Sequence, residues 1–429
     1  GRPFLRPLLH ELEHKGGGCA GPPEGYQGAL AGEDFAEKAD RYDTMIQKLI
    51  FDGRTEDMKL FQEKPEVHQY GGAQEFVEDF QIGEGDFVLA GKSVLEAHFA
   101  GLEKTGAVIR CKSRYGQGEP TDLMVDALLA DFRKTGCGRI IAIGGGAVID
   151  MAKILVLDGD APAADIYQRR TELKKVRSLV AVPTTCGAGS EVSSVSIAEV
   201  TELHTKLGLA CDEIYPDHAV LIPELLKELP WHFFVTSAID ALIHAIESYV
   251  SPKSNLYTRM FAKEAMEMLL KGFQRLAAEG PDCRESLFKD FLVASNLAGI
   301  SFANAGTGAV HAMSYPLSGV YHVTHGEANY QFLTAVFQTY LEKAPEGGIG
   351  GLNEFLAGIL GCEPGGVYRE MEELLGGLIQ RKPLRAYGMK EEEIRTFAKS
   401  VEETQQRLLN QSYVKFTADD MEEIYRKLY

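Results

Sequence analysis

Four side chains in the middle of the chain have the types and spacing of metal ligands. Asp240 and His244 stand four residues apart in an apolar run with helical periodicity, so both side chains leave the same face of one helix. His311 and His325 follow further along the chain. One carboxylate and three imidazoles suit a divalent metal such as Fe²⁺, Zn²⁺ or Mn²⁺. The set predicts a catalytic metal site, although an Asp and a His at this spacing are by themselves more often an exposed polar pair.

Two glycine- or threonine-rich segments each follow a short apolar run that is typical of a strand. The sequence GGGAVIDMAK occupies residues 144–153 after the run 139–143, and PTTCGAGSE occupies residues 183–191 after the run 178–182. Backbone N–H groups in such turns, and the start of a following helix, can bind phosphate oxygens. A tight strand-to-helix connection explains a glycine turn as well, so either turn alone is weak evidence for a cofactor.

In this order, the motifs resemble those of the iron-dependent alcohol dehydrogenase family. The matching segments are residues 144–153, 183–191, 240–247 (DALIHAIE) and 311–329, which ends in HGEAN. The resemblance covers about residues 58–429, and within the family it is greatest to the members that oxidise 4-hydroxybutyrate. It implies an α/β dinucleotide-binding domain followed by an all-α metal-binding domain, an architecture shared with dehydroquinate synthase. The implied ligands of Fe²⁺, with Zn²⁺ as an alternative, are Asp240, His244, His311 and His325.

The resemblance also assigns residues to the cofactor and to proton transfer. Asp150 is open to a second role, because a carboxylate early in a helix commonly compensates the helix dipole. Lys206 could equally be a solvated lysine at a strand end. Tyr315 stands where many family members have a second histidine, and an ordinary tyrosine pKa of about 10 makes it a different proton donor. The positions that the resemblance places around NAD are Gly145, Gly146, Ala147, Asp150, Thr184, Thr185 and Lys206.

The end of the first strand-like run bears on the choice between NAD and NADP. Family members often have an Asp there, which would hold an adenosine ribose hydroxyl and repel a 2′-phosphate. Residues 90–92 (Ala-Gly-Lys) contain no carboxylate. The resemblance implies NAD, whereas Lys92 could favour a phosphate.

Composition and charge limit the class of protein. Hydrophobic residues at 45% and charged residues at 25% are ordinary for a globular protein. A net charge of −18 without a basic cluster argues against a nucleic-acid partner. Neither a membrane span nor a secretory leader is evident. Seven cysteines without a C-x-x-C pair predict a reducing cytoplasm rather than a disulfide framework.

Two domains are expected after an N-terminal leader. Residues 1–57 lack a clear core pattern and are expected to be disordered or to lie outside the native enzyme. Between residues 58 and 230, strand-like runs alternate with helical ones, such as 121–133, which predicts a largely parallel sheet. The strand-like runs are 87–90, 107–110, 139–143, 178–182, 195–200 and 219–222. Residues 231–429 have almost only helical patterns, at 236–249, 257–270, 285–300, 391–409 and 418–428. The cofactor and the metal should meet in the cleft between the two domains.

The resemblance implies reversible oxidation of 4-hydroxybutyrate to succinate semialdehyde with NAD. The first alternative is NAD(P)H-dependent reduction of a neutral aldehyde to a primary alcohol or diol. A metal-dependent hydrolase does not need the two cofactor-like turns, and a dehydroquinate-synthase-like lyase needs basic residues that the helix around Asp240 lacks. A non-catalytic binding protein fits least, because the ligands and the glycine turn are intact. His322, Lys206 and Arg381 are candidates for binding the substrate carboxylate, and a homodimer is the expected assembly.

Overall fold

The computed structural model describes residues 59–203 and 205–429. The expectation for residues 1–57 therefore lies outside the described residues. Residues 59–429 form one compact unit, in which a parallel sheet with flanking helices precedes a set of helices.

Strands carry the first part of this unit. In chain order they are β1 (Glu66–Gln69), β2 (Asp86–Ala90), β3 (Val108–Cys111), β4 (Arg139–Gly144), β5 (Ser178–Pro183), β6 (Val195–Val200), β7 (Thr205–Ala210) and β8 (His218–Leu221). Six strands form a parallel sheet in the order β1-β8-β5-β4-β2-β3, and β6 pairs antiparallel with β7 in a separate hairpin. Strands β2, β4 and β5 are buried almost throughout, which explains their continuous apolar runs.

Five helices in the described residues accompany the sheet. They are α1 (Ala73–Asp79), α2 (Lys92–His98), α3 (Asp122–Phe132), α4 (Gly146–Leu155) and α5 (Ala163–Tyr167). Helix α3 begins after Thr121, whose hydroxyl accepts a hydrogen bond from the Met124 amide. Helix α4 begins two residues after β4 ends, so its first amides lie at the carboxyl edge of the sheet.

The second part is helical. Its helices are α6 (Trp231–Val250), α7 (Leu256–Glu279), α8 (Phe288–Ala305), α9 (Ala309–Tyr321), α10 (His325–Lys343), α11 (Gly348–Leu360), α12 (Val367–Leu378), α13 (Ile394–Thr404), α14 (Gln406–Leu409) and α15 (Ala418–Leu428). Helix α6 packs against α7, α8, α10 and α11. Among the described residues it is the one helix long and apolar enough to cross a membrane, and 89% of its most apolar window is buried inside the protein. A predominantly apolar helix suits this central position.

The expected fold class is confirmed: an α/β part with a parallel sheet precedes an all-α part. The structure differs from the expectation in three details. The run 195–200 is a strand, but it belongs to the antiparallel hairpin rather than to the parallel sheet. Residues 391–409 do not form one helix, because the chain leaves helical geometry at Gln405. Strands β1 and β7 had not been expected.

Candidate active site

The structure brings together the four predicted metal ligands. Asp240 and His244 lie one turn apart on α6, His311 is the third residue of α9, and His325 is the first residue of α10. One potential ligand atom from each residue lies within 4.8 Å of the others. Helix α6 and the two consecutive helices α9 and α10, which follow it much later in the chain, therefore converge on one point.

Hydrogen bonds to one nitrogen of His244 and of His311 determine which nitrogen of each ring is free to bind a metal. Nδ1 of His244 lies 3.1 Å from the Gly187 carbonyl oxygen, and Nδ1 of His311 lies 2.6 Å from Oε2 of Glu247. Both oxygens are acceptors, so both Nδ1 atoms carry the proton. Nε2 of each ring is left as a lone-pair donor, which is the usual arrangement of a metal-binding histidine.

Asn329 orders the other two ligands. It lies one turn after His325 on α10, and its amide nitrogen donates to Oδ1 of Asp240 at 2.7 Å. The same nitrogen lies 3.2 Å from Nε2 of His325. Asn329 thus holds the α6 carboxylate beside the α10 imidazole.

The residues present fit a divalent cation. Nε2 of His311 is buried and has no hydrogen-bond partner among the described residues, and such orphaned atoms are rare in proteins. Burial lowers the pKa of His244 to about 3. Burial alone would raise the pKa of Asp240, but the surrounding imidazoles, first His244, lower it. Neutral imidazoles and an ionised carboxylate are the forms that bind metal.

Two glycines permit close packing against the backbone of α6. A Cβ atom on Gly187 would lie 2.4 Å from the Ser237 carbonyl oxygen, and a Cβ atom on Gly326 would lie 2.4 Å from that of Thr236. Any other residue would push these segments away. The Gly187 carbonyl that binds His244, and the segment next to His325, are therefore positioned by backbone contact.

A cavity of about 520 Å³ lies between the sheet part and the helices and contains the ligand cluster. Most residues expected at the cofactor line it, together with Tyr315 and the four ligands. The lining residues expected at the cofactor are Gly146, Ala147, Asp150, Thr185 and Lys206. Gly145 and Thr184 do not line it; Thr184 instead donates its amide to the Gly144 carbonyl at 3.1 Å, which shapes the two neighbouring turns.

The comparisons with known proteins identify the family. The family model described as "Iron-containing alcohol dehydrogenase" matches residues 71–223. The model described as "Fe-containing alcohol dehydrogenase family, C-terminal" matches residues 234–429. This chain belongs to the iron-containing alcohol dehydrogenase family. The resemblance seen in the sequence is thus confirmed.

Individual relatives of this family member agree with that assignment. The chain is 50% identical over 374 residues to the 4-hydroxybutyrate dehydrogenase of Clostridium kluyveri, covering 87% of this chain and 100% of that protein. An archaeal halo-thermophilic alcohol dehydrogenase from a Red Sea brine pool has a TM-score of 0.77 at 22% identity, over 88% of this chain and 100% of that chain. Sulfoacetaldehyde reductase of Bifidobacterium kashiwanohense, solved in complex with NAD⁺, has a TM-score of 0.75 at 22% identity, over 87% and 99%. The two structures share the fold.

Asp150 lines the cavity, but it does not act as a cap of α4. It is the fifth residue of α4, beyond the first turn, so the interpretation as a dipole-compensating cap is wrong. Its carboxylate accepts from the Ser190 hydroxyl at 2.5 Å and from the Ile197 amide at 3.0 Å. The fully buried Lys153, one turn further on, donates to the same hydroxyl at 2.7 Å. Asp150 therefore ties α4 to the β6–β7 hairpin at the edge of the cavity.

Tyr315 lies one turn after His311 on α9, and its ring centroid lies 6.4 Å from that of His325. Burial raises the pKa of the Tyr315 hydroxyl. The group remains protonated at neutral pH and can act as a hydrogen-bond donor in the cavity.

Of the three carboxylate anchors considered, only Lys206 lines the cavity. His322 is exposed at the end of α9, with a left-handed φ of 54°. Arg381 is paired with Glu372 and donates to the Thr334 hydroxyl at 3.0 Å, away from the cavity. Neither candidate lines the cavity, and for His322 the reason is that closeness to a ligand in sequence does not report side-chain direction.

Three residues of the site were not predicted from the sequence. Glu247 lies three residues after His244, and Asn329 lies four after His325, so helical spacing from a ligand could have identified both. Arg407, on α14, also lines the cavity, and no motif surrounds it.

Proposed function

We propose that this iron-containing alcohol dehydrogenase interconverts 4-hydroxybutyrate and succinate semialdehyde with NAD(H). The observation that carries the proposal is the convergence of Asp240 and three histidines on a cavity that the start of α4 also lines. The substrate is supported by the 50% identity to the Clostridium kluyveri 4-hydroxybutyrate dehydrogenase.

The metal in this proposal is Fe²⁺, with Zn²⁺ as an alternative. Its ligands would be Asp240, His244, His311 and His325. When bound, it supplies Lewis-acid stabilisation of the substrate oxygen during hydride transfer. Glu247, Asn329 and the Gly187 carbonyl orient the ligands, so the protein enters the reaction with the site already arranged.

The cofactor in this proposal binds along the turn between β4 and α4. Helix α4 has ten residues, and its first backbone N–H groups have no partners within the helix. These N–H groups can therefore donate hydrogen bonds to an anion such as a phosphate. Glycine is required at position 146, because a Cβ atom there would lie only 2.9 Å from the Ala188 methyl group and would push the two turns apart. Thr185, Asp150 and Lys206 complete this side of the cavity. When bound, NAD(H) would supply the hydride, and these residues would hold it against the metal site.

Two positively charged side chains on one side of the cavity favour binding of a substrate with a carboxylate. Lys206 and Gly208 are two residues apart on β7 and therefore share a face of the strand. The Arg407 guanidinium packs over this face, with Nη2 3.2 Å from the position that a Cβ atom on Gly208 would occupy. Arg407 also acts on the Tyr315 hydroxyl, since its charge opposes the rise in the pKa of Tyr315 that burial causes. Arg407 is thus the candidate anchor for the carboxylate, with Lys206 beside it.

Tyr315 is the candidate for proton exchange with the substrate oxygen. It lines the cavity together with Arg407 and His325, and its pKa responds to the charge of Arg407. As a protonated hydroxyl it can donate to an oxygen that gains negative charge and can then recover a proton from solvent in the cavity.

The proposal is tested by mixing purified, Fe²⁺-loaded protein with succinate semialdehyde and either NADH or NADPH, and following cofactor oxidation. Rapid turnover with NADH is expected. Butyraldehyde, of nearly the same shape but uncharged, is the matched control substrate. Equal efficiency on both aldehydes would support the neutral-aldehyde alternative instead.

The proposed enzyme is a cytoplasmic homodimer that acts without a nucleic-acid or membrane partner. All six cysteines in the described residues are free, as expected in a reducing compartment. Two-fold dimers are the commonest assemblies of soluble proteins. Light scattering of the purified protein would establish the number of copies.

A further inference from the structure

A second cluster of metal-ligating side chains lies on the parallel sheet, away from the cavity. Glu66 and His68 are two residues apart on β1 and share a face, and His218 on β8 stands in register with Glu66. Glu66 and His218 are the first residues of their strands, whereas the cofactor turns follow the carboxyl ends of β4 and β5. None of the three residues lines the cavity.

The distances within this cluster match those around a tetrahedral cation. Nε2 of His68 lies 3.1 Å from Nδ1 of His218, and each nitrogen lies 3.5 Å from Oε2 of Glu66. Ligand atoms at about 2.0–2.1 Å from a tetrahedral zinc ion are roughly 3.3–3.4 Å apart. The three atoms thus form a triangle of the size of one face of that tetrahedron.

The two imidazoles are held in place without a metal. The Phe80 ring meets both of them edge to face, with centroid distances of 5.3 Å to His68 and 5.4 Å to His218. The side chains of His68 and His218 are 30% and 32% exposed, and that of Glu66 is 72% exposed. The nitrogens are therefore fixed against the sheet, and the remaining side of the cluster is open to water.

Nearby positive charges are compensated by their own carboxylates. Each of the three basic side chains around the cluster has an acidic partner, so the Glu66 carboxylate is left to the histidines. The pairs are Lys64 with Asp212 at 3.1 Å, Arg139 with Asp86 at 2.7 Å, and Lys175 with Asp217 at 2.8 Å.

We propose that Glu66, His68 and His218 bind a second divalent cation, of the Zn²⁺ class, with a water molecule as the fourth ligand. Two imidazoles and one carboxylate are a common zinc ligand set. Strand β1 is an edge strand whose only neighbour in the sheet is β8, among the described residues. The ion would join these two strands through their side chains and stabilise this edge. The site differs from the catalytic one in having an exposed carboxylate and no buried orphan nitrogen.

The test counts zinc ions bound by the metal-stripped full chain, using Zn²⁺ alone in calorimetric titration. The parent should bind two ions per chain and the double variant His68→Gln/His218→Gln should bind one. His322→Gln, which removes an exposed histidine outside both clusters, should still bind two. The dehydrogenase activity of the Fe²⁺-loaded double variant should equal that of the parent, which shows that the fold is intact.

The complementary variant Asp240→Ala/His325→Ala disables the catalytic cluster. In this background Zn²⁺ should bind at one site and raise Tm, and adding His68→Gln should weaken that binding on the order of a hundredfold. Co²⁺ should give the visible absorption of a tetrahedral nitrogen and oxygen site in the same background. A parent that binds a single ion, or a double variant that still binds two, would overturn the proposal. Neither result depends on the substrate or cofactor of the enzyme.

Discussion

Oε2 of Glu247 lies 2.6 Å from Nδ1 of His311, although the two residues belong to different helices. The other carboxylate oxygen accepts a hydrogen bond from the Val310 amide at 2.8 Å, at the start of α9. Helix α6 therefore carries two of the four proposed ligands and also sets the position and tautomer of a third. This one helix thus contributes to the placement of three of the four proposed ligands.

Glu247→Ala is expected to weaken metal binding by about 10–100-fold, because ligand-orienting partners typically have effects of this size. Titration of the metal-free protein with Fe²⁺ or Zn²⁺ measures the change. Glu247→Gln, which can still accept from His311, should have the smaller effect. The exposed Glu264→Ala on α7 is the control, and an unchanged affinity in Glu247→Ala would show that Glu247 does not orient the ligand.

His325→Ala is expected to remove bound metal and activity together while the protein remains folded. Three remaining ligands should hold Fe²⁺ poorly, and the imidazole lies at the surface of the cavity rather than in the apolar core. Metal analysis, turnover and circular dichroism measure the three properties. His322→Ala removes a nearby exposed histidine and should leave all three unchanged. Full metal occupancy in His325→Ala would contradict the ligand assignment.

Arg407→Met is expected to reduce kcat/KM for succinate semialdehyde by at least about tenfold and to change that for butyraldehyde little. A charge-assisted hydrogen bond typically contributes on the order of 1.5–3 kcal/mol, and about 1.4 kcal/mol corresponds to tenfold. Arg407→Lys should retain part of the preference.

Arg381→Met is the matched control for Arg407, because Arg381 is paired with Glu372 outside the cavity. His322→Phe should likewise leave the ratio of the two efficiencies unchanged. A parent enzyme with equal efficiencies on both aldehydes would refute the acid-substrate proposal, whereas an unchanged ratio in Arg407→Met would refute only the anchor.

NADH is expected to give a higher kcat/KM than NADPH. Lys92, the candidate for a phosphate contact, is 71% exposed at its side chain and lies 3.6 Å from Glu96 on the same helix. Its charge is thus partly compensated and points into solvent. Lys92→Ala should leave the ratio between the two cofactors near that of the parent, and a clear preference of the parent for NADPH would contradict the prediction.

Glu63 is expected to make the protein less stable as pH rises. Both carboxylate oxygens are buried without a partner among the described residues, and burial, then the charge of Glu191, raises the pKa of Glu63 from 4.5 to about 8. The folded state therefore binds more protons than the unfolded state between these pH values, and the free energy of unfolding falls across that window. Glu63→Gln should raise Tm relative to the parent near pH 8 and match it near pH 4.5. The exposed Glu84→Gln is the control, and equal Tm values of Glu63→Gln and the parent at both pH values would contradict this.

The sequence was sufficient for the parts of the site that depend on local spacing. Asp240 and His244 lie one turn apart on a helix, and the apolar runs of β4 and β5 lead directly into their turns, so each could be predicted from its own segment. Arg407 reaches the cavity only because α14 packs over Gly208 of the hairpin. That contact joins residues far apart in sequence, and no local pattern reports it.

The difference between local patterns and long-range contacts also explains where the predicted secondary structure departs from the structure. β6 was recognised as a strand from its composition, but its partner, β7, contains a glycine and a lysine and has no alternating pattern strong enough to show the pairing. The break at Gln405 is not marked by Pro or Gly, so an amphipathic pattern continued through it.

The hydrogen bond from His244 to the Gly187 carbonyl joins a proposed metal ligand to the segment that carries Thr185, on the side of the cavity proposed for the cofactor. If cofactor binding shifts this segment, it also shifts His244, so part of the free energy of cofactor binding would depend on whether metal is bound. By thermodynamic linkage, the factor by which the cofactor changes the affinity for metal equals the factor by which metal changes the affinity for the cofactor. If this hydrogen bond couples the two sites, diluting the nucleotide will promote loss of the metal, and chelating the metal will weaken nucleotide binding.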